Sequence, residues 1–430
     1  MVLNYRNECG ITLVMSKIIS SNETNYKKRR IACSISELAG SIPVIVVTGA
    51  RQVGKSTMLR NEFADYDYIT LDDYDILEQA KIDPQSLWMG RDKVIIDEAQ
   101  RLPHLFPAIK LAVDSSDRRR KFILSGSANL YLMEKVTESL AGRAVYVDIL
   151  PMTYGEMQGD YAAANFQSLW SADAGLNQLA APPVLPLAEI LLRGFMPPVM
   201  AIESARGVLA WLDGYVKTYL ERDLRELSQV ESLIDFRRLM QCIALRTGNI
   251  LNQADVAKDC ALSHPTAHRY IKLLEVSNII SRVPAYYASR NKRLVKSPKV
   301  FFLDPALAIF LSGYHDAESL AKSRELGGYF ETMVYLHLKA LCEVMTPKAQ
   351  IYYWRTSTKR EVDFVIENGR RVLPVEVKMS ARPTIADAAN LLAFMEDHPH
   401  AEQGVIVHGG KEVFRLHTKV VAVPWWWLES

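Results

Sequence analysis

The clearest chemistry in this sequence lies in nine consecutive residues: Gly49, Ala50, Arg51, Gln52, Val53, Gly54, Lys55, Ser56 and Thr57. Glycine, four residues, glycine, lysine and two hydroxyls make a phosphate cradle. The glycines let backbone N–H groups wrap the phosphates, Lys55 neutralises the β and γ oxygens, and Ser56 offers a hydroxyl to Mg²⁺. Farther along, the apolar run Val94-Ile95-Ile96 ends in Asp97-Glu98. Asp97 is expected to hold Mg²⁺, directly or through water, and Glu98 to orient and polarise the attacking water. Together the two motifs predict binding and hydrolysis of a nucleoside triphosphate, with ATP and Mg as cofactors.

Two further features leave alternatives open. The run Phe122-Ile123-Leu124 ends in Ser125-Gly126-Ser127. The two hydroxyls either report on the γ-phosphate or close a strand–helix turn. Arg143 stands in a loop before the next strand, and is either a cation supplied to another subunit's γ-phosphate or a surface arginine.

A second acidic group lies near the other end. Glu331 enters a helical pattern, Asp363 sits in an apolar strand, and Val375-Glu376-Val377-Lys378 closes the strand after the Asn368-Gly369 turn. Side chains alternate along a strand, so Glu376 and Lys378 share a face and the hairpin can bring Asp363 beside them. Two carboxylates and a lysine suit a Mg²⁺-bound water attacking a phosphodiester, with Glu331 as a further acidic ligand. This ordered set resembles the PD-(D/E)xK nuclease superfamily, with Val362 where proline would precede the aspartate. Such a site either cleaves or survives as a binding platform.

Between these groups the charge is lopsided. From Ser263 to Val300 the cations are Arg269, Lys272, Arg282, Arg290, Lys292, Arg293, Lys296 and Lys299, against Glu275 alone, in a chain of net charge +2. Two short helical patterns, 253–258 and 265–275, with Ser263 as the expected N-cap, precede strands at 279–283 and 294–302. A helix-turn-helix followed by a basic hairpin is how a winged helix meets duplex phosphates. Arg269, Lys272, Arg290, Lys292, Arg293 and Lys296 are the candidate DNA contacts. The alternative is a winged helix that packs on protein.

These groups need elements to position them. Apolar runs at 43–48, 68–71, 93–96, 121–124 and 144–149, separated by helical stretches, predict a parallel α/β sheet with the cradle after its first strand. Residues 159–186, rich in Ala, Asn, Ser and Pro, read as a loop or insertion. Helical patterns fill 204–276, and a mixed α/β region runs from about 327 onward. Trp425-Trp426-Trp427 reads as a packed terminal element or an interaction patch.

With 430 residues, 49% of them hydrophobic and 23% charged, the chain is globular and multidomain, and wholesale disorder is excluded. Five scattered cysteines without a CxxC pair argue against a disulfide framework or a cysteine-rich zinc site. The early residues lack a signal-peptide core, and no run is long enough to span a membrane. The expectation is a cytoplasmic protein.

Residues 27–150 resemble an AAA+ ATPase of the bacterial and archaeal group, through TGARQVGKST, IDEAQ, SGSAN and SLAGRA. Nearly the whole chain is similar to the family that joins this ATPase, of AAA_14 type, to a DUF4143-type C-terminal region. The resemblance implies a homo-oligomeric ring, expected to be hexameric. It also implies Arg143 as arginine finger, Ser125 and Ser127 on the sensor strand, and Arg51 as a salt bridge within the cradle.

The expected division is an ATPase over 1–155, an insertion and helical linker over 156–235, a winged helix over 236–310, and a nuclease-like α/β domain over 311–430. The function expected is a DNA-binding ATPase that moves or remodels duplex or branched DNA. The alternatives are an ATP-gated Mg-dependent nuclease of a defence or restriction type, and a nucleotide-controlled switch acting on a protein partner.

Overall fold

A computed structural model of the chain describes residues 26–126, 140–170, 182–223, 232–287, 289, 293 and 296–430. Its first unit is a five-stranded parallel sheet of β1 (Val44–Thr48), β2 (Asp67–Thr70), β3 (Lys93–Asp97), β4 (Lys121–Ser125) and β5 (Ala144–Asp148), ordered β2-β3-β4-β1-β5. Every residue of β1 is buried because both faces are covered. Ile45 and Val47 join the apolar cluster of Ile35, Met58 and Leu59, while Val44 and Val46 join that of Leu77, Phe106 and Ile109. Successive side chains of one strand thus feed two helical layers, and the parallel register places all strand C-termini along one edge.

The middle of the chain is helical. Leu233–Ala244, Gln253–Asp259 and His264–Val276 precede a small antiparallel sheet of β6 (Asn249–Ile250), β7 (Ile280–Val283) and β8 (Lys299–Phe302), ordered β6-β8-β7. Ser263 does cap its helix, accepting from the Thr266 N–H at 3.2 Å. β6 was not expected: two residues are too few to show a periodicity.

The C-terminal unit begins with the Leu326–Glu343 helix and forms a six-stranded mixed sheet. Its strands are β9 (Gln350–Arg355), β10 (Glu361–Asn368), β11 (Arg371–Lys378), β12 (Gly404–His408), β13 (Phe414–His417) and β14 (Val420–Pro424), ordered β13-β14-β12-β11-β10-β9. β10 pairs antiparallel with β9 and β11, while β11, β12 and β14 run parallel.

The stretch expected as a loop holds a short helix, Ala164–Ser168, seated by buried Phe166. The tryptophan run forms a buried turn, with Trp425 stacked on His337 at 5.8 Å between ring centroids and edge-on to Tyr154 at 5.0 Å. It is a packing element, because its apolar area is already covered. Among the described residues, no helix is long and apolar enough to cross a membrane.

Candidate functional site

The cradle leaves the C-terminal end of β1 and ends in the Lys55–Glu62 helix. Gly49 has φ +146, and a Cβ there would stand 2.4 Å from the Ile149 carbonyl oxygen, so glycine is required. Gly54, at φ +92, caps the helix in a left-handed conformation. Lys55 is only 7% exposed and turns its ammonium onto the loop, donating to the carbonyls of Gly49 and Ala50 at 2.9 Å each. Burial lowers its pKa to about 8, although Glu98 and Asp97 pull it back. An ammonium so poorly compensated is poised to meet an anion.

Beside it, at the end of β3, Asp97 is buried and accepts hydrogen bonds from Ser125, Tyr68, Ser56 and the Glu98 N–H. Burial alone would raise its pKa, but these bonds outweigh it and hold the carboxyl below its usual range. Burial raises that of Glu98, with Gln100 hydrogen-bonded to it opposing the rise. A carboxylate kept ionised next to one made more basic is the division of labour that metal binding and proton acceptance require. Ser125, which could have faced a phosphate, is tied to Asp97; Ser127 lies outside the described residues.

Arg143 stands elsewhere. Its carbonyl accepts from the Val44 N–H at 3.2 Å, which puts it at the N-terminal edge of the sheet, a full strand (about 16 Å) from the cradle of its own chain. Its guanidinium grips Asp114 with two bonds, at 2.7 and 2.8 Å. Arg51 lies with its guanidinium 5.7 Å from the Tyr219 ring centroid, and its carbonyl accepts from the Tyr215 hydroxyl at 3.3 Å.

The C-terminal acids do come together. Lys378 donates to Glu376 at 2.8 Å, and the Val377 N–H donates to Asp363 at 2.9 Å, as strand alternation and the hairpin predicted. Burial opposes the charge of Lys378, but Glu376 outweighs it and holds the pKa above the ordinary lysine value. Burial, reinforced by Asp363, pushes Glu376 up to about 8, and burial pushes Glu331 to about 8 against the pull of Lys299.

A residue read from sequence as part of the basic hairpin enters this cluster. Lys299 of β8 donates to Glu331 at 3.0 Å and to Asp363 at 3.4 Å, and pairs with Glu361 at 2.7 Å. Burial alone would discharge it; the surrounding carboxylates outweigh that and keep it an ammonium.

The basic surface is correspondingly smaller than the sequence suggested. Arg293 is not an exposed wing contact: it pairs with Glu367 at 2.6 and 3.1 Å and lies 4.6 Å from the ring centroids of both Tyr286 and Tyr352. Arg282 pairs with Glu275. Arg269, Lys272 and Lys296 are exposed, while Arg290 and Lys292 lie outside the described residues.

Sequence reasoning missed Arg29. It donates to the cradle at the Val53 carbonyl (2.8 Å), to the Leu150 carbonyl (2.6 Å) and to Glu156 (3.2 Å). Its neighbour Arg30 holds Thr153 at 3.1 Å and the Glu429 carbonyl at 2.8 Å. In the sequence they are only part of a basic run, because every partner named here except Val53 lies more than a hundred residues away.

Residues 41–158 match the family described as AAA domain, while 185–318 and 326–428 match domains of unknown function, DUF8612 and DUF4143. The Mycobacterium tuberculosis protein Rv2008c is 30% identical over 400 residues, covering 93% of this chain and 83% of the relative; Mb2031c of Mycobacterium bovis matches equally. Among solved structures, a Walker-type ATPase of Pyrococcus abyssi is similar at 19% identity and TM-score 0.45, over 67% of this chain and 99% of that one. The RuvB Holliday junction branch migration motor of Thermotoga maritima is similar at 15% identity and TM-score 0.25, over 59% and 87%.

Proposed function

The chain belongs to the family of AAA-domain ATPases with a C-terminal DUF4143 region, and from that premise we propose that it couples ATP hydrolysis to movement of a DNA-binding unit. The observation that carries this reading is a contact between the nucleotide edge and the middle unit. Thr48, the last residue of β1, bonds to Asp148 at the end of β5, and Asn278 donates to the same carboxylate at 3.4 Å. Asn278 lies just beyond the His264–Val276 helix that bears Arg269 and Lys272. A change at the cradle therefore has a direct route to the basic helix.

In this reading the cradle holds the phosphates and Lys55 neutralises them. Ser56 and Asp97 offer only oxygen ligands and already lie in mutual hydrogen-bonding contact, so they fit a hard cation. They would hold Mg²⁺, which supplies neutralisation of the phosphate charge when bound. Glu98 takes the proton of the attacking water. Arg143, too far from its own cradle, serves the site of a neighbouring copy in a ring, exchanging Asp114 for the γ-phosphate.

The order helix, strand, helix, helix, strand, strand over 233–302, with the last two strands antiparallel, supports a winged helix, in which Arg269, Lys272, Arg290, Lys292 and Lys296 would face duplex phosphates. The helix, three strands, helix and strand over 326–408 support a nuclease-like fold. The chain accordingly divides near 155, 235 and 310.

The test is the ATPase rate of the purified chain without DNA, and with single strands, duplex or a four-way junction, each DNA then read on a gel. Stimulation by one form with strands intact is the expected result. Indifference to every DNA would overturn the reading in favour of a switch acting on protein, and cut strands would favour a nuclease.

A further inference from the structure

The carboxylate cluster of the C-terminal unit is already filled. Lys299 is 2% exposed, and its ammonium lies within 3.4 Å of oxygens from Glu331, Glu361 and Asp363. It arrives from β8, in a different unit from all three acids.

That arrival is built into the contact between the units. A Cβ on Gly328 would stand 2.9 Å from the Thr247 carbonyl, so only glycine lets the Leu326–Glu343 helix come this close. Thr247 and Thr332 share a hydrogen bond at 2.7 Å across the same junction, one residue from Glu331. Tyr353 extends the contact, its N–H donating to the Pro284 carbonyl at 3.0 Å and its hydroxyl to the Ser297 carbonyl at 2.6 Å. Lys299 is therefore delivered to the acids by a close-packed seam.

We infer that the Lys299 ammonium is the resident cation of this cluster, taking the charge position of a divalent ion, so that the site binds no metal and clasps the middle unit to the C-terminal sheet. The expected ligands do not fit a metal while it is there. Glu331 and Asp363 both face the ammonium, and Glu376 is bonded to Lys378 through one oxygen. The other Glu376 oxygen, Oε2, is buried and accepts no hydrogen bond, and one such oxygen is a poor site for a cation that wants six oxygen ligands. Among the described residues, no group of three or more His, Cys, Asp or Glu is arranged to hold a metal. The inference stands whether or not DNA is the partner.

The test uses Mn²⁺ alone, followed by electron paramagnetic resonance on the full chain without nucleotide, in an Asp97→Asn background that silences the cradle. The background chain is expected to retain no Mn²⁺ at micromolar metal. Adding Lys299→Gln is expected to tighten Mn²⁺ binding at least tenfold, and further adding Asp363→Asn to abolish the gain. Stoichiometric Mn²⁺ binding by the background chain, lost on adding Asp363→Asn, would overturn the inference. So would a folded Lys299→Gln chain that binds Mn²⁺ no better than its parent. Should that variant not fold, the clasp is supported and the background chain alone decides the metal question.

Discussion

Lys55 and Lys299 are both buried lysines in the company of carboxylates, yet their environments push them in opposite directions. Lys55 donates to backbone carbonyls, with Asp97 and Glu98 near enough to be felt, and burial wins: its pKa falls to about 8. Lys299 is touched by three acids, and the acids win. The difference teaches what a ligand-binding lysine needs. A lysine that must meet an incoming phosphate is buried without a counter-ion of its own, whereas one that already has its counter-ions has no call for a ligand.

The largest effect sharpens the first half of that contrast. Glu98→Gln is expected to lower ATP turnover by about 10²–10⁴-fold while nucleotide still binds. Lys55→Ala is expected to lose both. Phosphate release and nucleotide fluorescence measure the two, and near-normal turnover in Glu98→Gln would remove Glu98 from the chemistry.

The second half is tested by stability. Lys299→Ala takes the cation from Glu331 and Asp363, both largely withdrawn from solvent, and is expected to cost about 3 kcal/mol in chemical denaturation. Lys322→Ala, which breaks an exposed pair with Glu318, is expected to change nothing measurable. Equal effects at the two positions would erase the distinction drawn between them.

A smaller effect separates the two lysines by pH. The Lys55 pKa is depressed to about 8 in the free chain, and contact with phosphate raises it, so binding takes up a proton above pH 8. ATP affinity is therefore expected to be level below pH 8 and to fall above it, by at most about tenfold per pH unit. Calorimetry in two buffers of different ionisation enthalpy reads the proton directly. Release instead of uptake would show the sign to be wrong.

The smallest effect concerns the exposed cations. Arg269→Ala or Lys272→Ala is expected to flatten the salt dependence of DNA binding by about 0.9 per residue in the log–log slope. Arg293→Ala is expected to leave that slope alone, because Glu367 already neutralises it.

The cradle, Asp97, Glu98 and the five strands were legible in the sequence because each is a local pattern: fixed spacing, or an apolar run ended by charge. The pairing of Glu376 with Lys378 was legible for the same reason, since strand alternation is local. Lys299 was misread because one lysine in a basic stretch looks like any other; what distinguishes it is acids 32 and 64 residues away, brought to it by the fold. Arg293 and Arg282 were misread likewise. Charge counted along a chain overstates charge on a surface whenever units pack against each other.

The seam at Lys299 also limits how this part of the chain can change. Glu331 and Asp363 share one lysine from another unit, and that lysine depends on them, so a substitution of either partner alone leaves charge uncompensated where a matched pair of substitutions does not. Motif letters held by such interdependence serve assembly, which asks nothing of cleavage. A nuclease signature can thus outlast, or stand entirely apart from, nuclease chemistry.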